Sequence, residues 1–233
     1  MPPEITVDFI NRSTDTGNSQ VVLFETAEGP PRHTLRFHNR SGRTQTFVCF
    51  QPTEHNSANG YPIAWFAMPV ASGVQVNFRW QPTFDLVWME TGKLAPGIQA
   101  MASQVTPASL GSSNMAYLSY IDEAFAFHNQ GPGDPPADLI IRTDTTIPQN
   151  TVSVGIGMAG APTQVLQTQA NLNTVFTAVP NYWVAIADVV QGEVLDESEL
   201  AAKAPVVFPP NVTAMTATLD ADQKFVVQQG LVV

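Results

Sequence analysis

Short stretches that alternate apolar with polar residues, each closed by glycine, proline, asparagine or serine, recur along this 233-residue chain. A period of two is the pattern of a half-buried strand, because successive side chains of an extended backbone point to opposite faces. Ile5, Val7 and Phe9 alternate with Thr6 and Asp8, and Val74, Val76, Phe78 and Trp80 share one face of a later run. Further strands are expected over 21–24, 34–37, 46–50, 63–68, 84–89, 116–120, 124–127, 139–142, 151–156, 164–167, 175–178, 183–187, 205–208, 215–219 and 224–227. Proline has no N–H to give a central ladder, so Pro52, Pro69, Pro82, Pro107, Pro148 and Pro180 mark strand ends, edges or turns. Only 196–203 reads as helix, with Asp196 or Ser198 as its cap and Leu200, Ala201 and Ala202 as good formers. Helices do not alternate with the strands, which disfavours a parallel βαβ design. The expectation is an all-β fold, an antiparallel β-sandwich of which a jelly-roll is one form, with one short helix near 196–203.

Composition narrows the class of function. With 44% hydrophobic residues the chain can bury a core, unlike a disordered sequence. No apolar run reaches the roughly 18 residues of a membrane helix, so no transmembrane segment is expected. The net charge of −10 makes a phosphate backbone an unsuitable partner, so no nucleic acid is expected. The first residues, Met1-Pro2-Pro3-Glu4, lack the basic and apolar regions of a secretory signal. That places the protein in the cytoplasm, or outside by a non-classical export route. The single cysteine, Cys49, lies in an apolar strand pattern and reads as a buried, inert thiol.

A single domain over 1–233 is expected. The Gly- and Pro-rich stretch 131–136 is the alternative place to split it. No repeat of about 20–50 residues is visible. Residues 1–50 carry balanced charge, so the net negative charge lies beyond them. Asp188, Glu193, Asp196, Glu197 and Glu199 cluster in one segment, which reads as a solvated face.

A search for catalytic constellations returns little. His33 and His38 are five apart, on opposite faces of a strand, and make no local metal pair. Glu54-His55 lacks the second histidine of a zinc helix, and no nucleophile elbow or phosphate-binding loop is present. Gly155, Gly157 and Gly160 match a dinucleotide-binding string, but Ala161-Pro162-Thr163 breaks the helix such a site needs. These glycines are expected to form a tight turn or bulge. No metal and no cofactor is expected. Trp80 and Trp88 stand on strongly apolar runs and belong in a core, whereas Tyr182-Trp183 opens a strand after Pro180-Asn181 and offers a contact site.

Several strings are similar to those of the rhizosphere-induced protein RhiA family. They are Ala64-Trp65-Phe66-Ala67, the run 84–97 (Phe-Asp-Leu-Val-Trp-Met-Glu-Thr-Gly-Lys-Leu-Ala-Pro-Gly), Val154 to Gly160, Tyr182-Trp183, Gly192 to Asp196 and Val207 to Val212. They run collinearly over about 35–225, most of the chain. The resemblance implies a bacterial protein of plant-root surroundings and brings no catalytic residues with it. It also leaves 1–30 as an added N-terminal strand element, able to insert into a partner. The reading that follows is a non-enzymatic β-sandwich interaction and assembly protein. It self-associates through edge strands, with Ile5, Val7 and Phe9 as the assembly residues. One alternative is a carbohydrate- or envelope-binding module using Tyr182, Trp183, Asn171 and Asn173. The other is a hydrolase with a site scattered over loops and His55 or His128 as base.

Overall fold

The computed structural model describes residues 32–53 and 60–232. The expected strand and assembly residues Ile5, Val7 and Phe9, the run 21–24 and His55 lie outside the described residues. In chain order the strands are β1 His33–Asn39, β2 Gln45–Phe50, β3 Tyr61–Pro62, β4 Phe66–Val70, β5 Gln75–Trp80, β6 Phe84–Met89, β7 Gln104–Ala108, β8 Met115–Ile121 and β9 Ala124–Gly131. They continue with β10 Asp138–Thr143, β11 Ser153–Met158, β12 Ala161–Gln167, β13 Asn173–Thr177, β14 Tyr182–Ile186, β15 Ala201–Val206, β16 Ala214–Leu219 and β17 Phe225–Gln229. No helix occurs among the described residues, and the fold is all-β as expected.

The strands form four sheets. Sheet I has the order β17-β16-β1-β5, sheet II β15-β14-β2-β4, sheet III β3-β12-β11-β6-β7 and sheet IV β13-β10-β8-β9. Pairing is antiparallel apart from β1 with β16 and β8 with β10, which run parallel at the centres of sheets I and IV. Alternation decides what each sheet buries. In β1, Leu35 and Phe37 turn inward; in β5, Val76, Phe78 and Trp80 do; in β16, Met215, Ala217 and Leu219 do. They meet Phe47, Cys49, Phe66, Val70, Tyr182, Val184 and Ile186 of sheet II, so sheets I and II form one sandwich. Sheets III and IV form a second, with Leu86, Trp88, Val154 and Ile156 packed on Leu118, Leu139, Ile141 and Phe176. Phe84 packs against both cores. The chain builds the sheet III–IV sandwich mainly from β6 to β13, between the two halves of the first.

The glycine-rich run behaves as its chemistry requires. Ala159 and Gly160, both at positive φ (52° and 82°), make the two-residue turn between β11 and β12. The register shifts between Ile156 and Gly157, and a Cβ at Gly155 would run into the Gln164 carbonyl oxygen. The backbones of the β11–β12 hairpin approach too closely for a side chain there.

Two sequence expectations need correcting. The helix over 196–203 does not form. Asp196 Oδ1 accepts the Ser198 N–H at 2.9 Å, closing a tight turn, and the chain then enters β15 at Ala201. Pairing with β14 and the helix-breaking Pro205 override the helix propensity of the alanines. Strand β7 went unread because Gln-Val-Thr-Pro-Ala holds little alternation and a proline. The 131–136 stretch connects β9 to β10 in sheet IV, where buried Asn114 holds it: Nδ2 donates to the carbonyls of Pro135 (3.2 Å) and Asp138 (2.7 Å), and Oδ1 accepts from Gly133 N (2.8 Å).

The outward faces differ in kind. On sheet III, Val87, Met89 and Val165 are covered by Ala100 and Val194; on sheet II, Val48, Phe50 and Ala185 are covered by Ala64 and Leu195. The outward face of sheet IV instead carries polar and aromatic side chains.

Candidate functional site

Cross-strand registry sets one row of side chains across sheet IV. Asn173 of β13 opposes Arg142 of β10, Arg142 opposes Tyr117 of β8, and Tyr117 opposes His128 of β9. Their neighbours Ile141 and Ala116 belong to the core, Phe127 packs against it and Thr174 is buried, so the period of two turns all four outward. Directly opposed residues lie within side-chain reach, and here they bond. Arg142 Nε donates to Asn173 Oδ1 at 3.1 Å and Nη1 donates to the Tyr117 hydroxyl at 3.2 Å. The guanidinium also lies over the Tyr117 ring, 5.8 Å from its centroid. Tyr117 and His128 stack with centroids 5.9 Å apart and planes 25° from parallel.

The row continues into a second set of groups. His128 Nε2 lies 2.6 Å from Ser119 Oγ, and Ser119 Oγ lies 2.5 Å from Asp144 Oδ2. Asp144 Oδ1 takes the N–H of Thr146 at 2.8 Å and also its hydroxyl. Serine, histidine and aspartate in contact call for a test of the hydrolase reading. Burial acts to raise the Asp144 pKa, but hydrogen bonds from Ser119 and Thr146 and the nearby His128 outweigh it and hold the carboxyl below its ordinary value. An ionised carboxylate only accepts, so the Ser119 proton belongs to Asp144, and His128 supplies an N–H to Ser119 Oγ. A nucleophile–base pair needs the reverse, with the imidazole taking the hydroxyl proton. The trio therefore fixes His128 in place; it does not activate Ser119.

The four expected ligand residues separate. Asn173 stands in the outward row, and Asn171, in a turn with φ of 59°, bonds through its N–H to the Asp144 carbonyl at 3.2 Å. Tyr182 does not reach a surface: it is 3% exposed in the sheet I–II core, where it accepts the Trp80 Nε1–H at 3.2 Å. Its position at a strand start hid the fact that its face turns inward. Trp183 points the other way, half-buried over sheet II, with the Lys203 ammonium 5.9 Å from its ring centroid. Tyr182 and Trp183 therefore do not share one platform. Tyr117, Arg142 and Asp144 were missed by sequence reading. A local signal existed only in β8, where Tyr117 and Ser119 are two apart between the buried Ala116 and Leu118; Asp144 lies just past the end of β10.

The remaining candidates are structural. His33 stacks on Phe208 with centroids 4.3 Å apart, beside Trp80 and Tyr182. Within the acidic segment, Glu197 Oε1 caps Thr53 N at 3.1 Å and Glu193 Oε2 caps Val190 N at 3.0 Å. Among the described residues no three histidine, cysteine or acidic side chains converge to hold a metal ion. An open groove of about 420 Å³ runs along Trp65, Met101 and Pro162. It carries no charged lining side chain. No described helix is long and apolar enough to cross a membrane.

The RhiA family model matches residues 30–230. The chain is 33% identical over 201 residues to Protein RhiA of Rhizobium leguminosarum bv. viciae, covering 82% of this chain and 84% of that protein. No solved structure matches it.

Proposed function

We propose, from the premise that the chain belongs to the RhiA family, that this protein is a non-enzymatic interaction and assembly protein that self-associates through β17. One observation carries the reading: how proline is distributed over the sheet edges. Both edges of sheet II and both edges of sheet III contain proline, namely Pro69 in β4, Pro205 in β15, Pro62 in β3 and Pro107 in β7. Proline at an edge blocks addition of another strand. The edges of sheets I and IV contain none. Among these, β9 is capped by Gln104 Oε1, which accepts the Phe127 N–H at 3.1 Å. Val175 and Thr177 of β13 already have partners. Strands β5 and β17 each lie beside an edge of sheet II, β4 and β15, but β5 is buried from Gln75 to Phe78 whereas no residue of β17 is fully buried.

That leaves β17. Gly230 N donates to Ala214 O, and Asp220 N to Lys224 O, so Lys224, Val226, Gln228 and Gly230 face β16. Phe225, Val227 and Gln229 therefore turn their backbone groups to the outer edge. Val226, Leu231 and Val232, 47%, 42% and 41% exposed, add apolar surface beside that edge. The strand pattern of Ile5, Val7 and Phe9 lies ahead of the family match and supplies a strand for β17 of a second copy.

Size-exclusion chromatography with light scattering tests the proposal. The full chain should rise in mass with concentration. Gln229→Pro removes an outward N–H while keeping the β16 pairing, and deletion of 1–30 removes the donor; both should remain folded and become monomeric. A full chain that stays monomeric at high concentration, or a Gln229→Pro variant that assembles undiminished, overturns it.

A further inference from the structure

We infer that the outward face of sheet I docks the acidic segment of the same chain that precedes it, with Glu28 paired to Arg79 and Glu25 to Arg36. Charge is the first argument. Residues 1–31 hold Glu4, Asp8, Asp15, Glu25 and Glu28 against Arg12, five negative charges to one positive and a net −4. Residues 32–50 hold Arg32, Arg36, Arg40 and Arg43 and no acid, a net +4. The neutral balance over 1–50 is thus made of two opposite halves that meet at Arg32, where the described residues begin. Opposite charges so close along one chain attract.

Burial is the second. Leu35, Phe37, Val76 and Phe78 face the core, so Arg36 of β1 and Asn77 and Arg79 of β5 point to the other side of the sheet. On that outward side Arg36 is nevertheless only 7% exposed and Asn77 3%. Arg36 Nε donates to Asn77 Oδ1 at 3.0 Å, which is a neutral acceptor. An arginine this far from water is stable when an anion meets it. Neither Arg36 nor Arg79 is without a partner, yet no strand of sheet I contains an acidic residue. Beside Arg36 in register, Thr216 Oγ1 donates to Gly230 O at 2.7 Å and accepts the Val232 N–H at 2.9 Å. That cover on the β16 side brings no carboxylate side chain. The anions for the β1–β5 side come from outside the sheet.

Reach is the third. Arg79 stands opposite Thr34, which makes it the diagonal neighbour of Arg36. Such neighbours lie about 7–8 Å apart, so the two guanidinium stems rise side by side. Glu28 is four residues before Arg32, and four extended residues span about 13 Å. That is enough to fold back from Arg32 onto Arg79. Glu25 lies three residues further from the join, as Arg36 lies two residues beyond Thr34 along β1. Gly29-Pro30 stands between the acids and β1 and provides the reversal. The acids and the arginines therefore follow one another in matching order from the fold-back. The contact is made within one copy and on the face of sheet I. It leaves Ile5, Val7 and Phe9 ahead of it and the β17 edge untouched, so it stands apart from the assembly reading.

Charge reversal in the full chain tests the pairing. In urea unfolding, Arg79→Glu and Glu28→Arg should each lower the midpoint, and the double variant should recover at least half of the summed loss. Glu90→Arg, at an exposed position elsewhere, should rescue nothing. Contact is read separately with a water-soluble carbodiimide, which joins a carboxylate to an amine only where they touch. In Arg79→Lys the new amine should couple to Glu28 or Glu25, as mass spectrometry of the digested protein would show. The yield should be the same after tenfold dilution and in a Gln229→Pro background. Circular dichroism establishes that each variant is folded. Additive losses in the double variant, or folded Arg79→Lys that couples to neither acid, overturn the inference. A yield that falls with dilution overturns it too, since the segment then belongs on a second copy. Failure of Gln229→Pro to become monomeric would count against assembly through β17 and leave these readouts unaffected.

Discussion

The Tyr182 hydroxyl of β14 donates to the Met158 sulfur of β11 at 3.2 Å, tying a strand of sheet II to a strand of sheet III. The same oxygen accepts the Trp80 indole N–H at 3.2 Å, and Gln51 Nε2 also reaches the sulfur, at 3.7 Å. Burial pushes the Tyr182 pKa well up, despite the hydrogen bond from Trp80, so the phenol stays neutral at any physiological pH. One hydroxyl thus bonds to both Trp80 of sheet I and Met158 of sheet III where the two sandwiches meet.

Tyr182→Phe should therefore destabilise the protein although the ring stays in place. The indole N–H of Trp80, which is 2% exposed, loses its acceptor. A buried donor left unmet costs about 1–3 kcal/mol, or several degrees of melting temperature in a chain of this size, at roughly 2–4 °C per kcal/mol. Differential scanning calorimetry reads this directly. An unchanged melting temperature would mean that Trp80 finds another partner.

Cys49 should be silent to thiol reagents while the protein is folded. It is 0% exposed and burial raises its pKa far above the ordinary thiol value, so neither access nor thiolate is available. Ellman's reagent should give no colour in native buffer and one equivalent in guanidinium. Fast reaction in native buffer would show that the β2–β14 region opens locally.

Much of the fold was legible because alternation is a local signal. The run 84–89 coincides with β6, and 215–219 falls within β16. Cys49, Trp80 and Trp88 lie in cores, as their apolar strings implied. What escaped is what depends on partners distant in sequence. Nothing near Met115 tells that β8 runs parallel to β10, and nothing near Ala201 tells that pairing with β14 defeats its helix propensity. Tyr182 and Trp183 are adjacent in sequence and face opposite layers, and alternation alone does not say which of two adjacent aromatics is inside. The row on sheet IV draws on four strands, so no single segment carries its pattern.

Acid should weaken the fold through His33 and His38. Burial lowers the pKa of both below 6.5, and for His38 the neighbouring Arg40 and Arg36 lower it further. A histidine with a lowered folded-state pKa contributes stability that is present above its unfolded value and lost as pH falls toward the folded value. The loss therefore starts near pH 6.5 and continues downward. His33→Phe keeps a ring against Phe208 and removes one titrating group. Its urea midpoint should fall less than that of the parent between pH 7.5 and 5.5; an identical fall would assign the effect elsewhere.

Gly155→Ala should be among the most damaging single changes. The added methyl collides with the Gln164 carbonyl oxygen, a backbone atom of the paired strand that no rotamer change can move. Either the β11–β12 ladder opens or β11 shifts within a strand buried along its whole length. Overpacking of this kind costs about 1–3 kcal/mol or more. Gly73→Ala, where a Cβ meets nothing within 4 Å, is the control: its φ of 82° imposes strain but no collision. Gly155→Ala should lose more stability or soluble yield than Gly73→Ala, and the reverse order would refute the close approach.

Asp85→Asn should be tolerated, and its effect should depend on pH with a defined sign. Asp85 is 4% exposed and its Oδ2 accepts the Gly160 N–H at 2.7 Å, holding the β11–β12 turn. Burial raises its pKa, and the hydrogen bond from Gly160 offsets this only in part. A carboxyl with a raised folded-state pKa favours folding at low pH, where it is protonated, and opposes it once pH has risen through the folded value. Asparagine keeps an oxygen for Gly160 and carries no charge to bury. At pH 7 the variant should be as stable as the parent or more so. That margin should shrink as pH falls toward 3.8, the ordinary value for aspartate. Urea unfolding of both proteins at pH 7 and pH 4.5 decides it. A variant that is weaker at pH 7 by the same margin as at pH 4.5 would mean that the charge on Asp85 strengthens its bond to Gly160 by more than its burial costs.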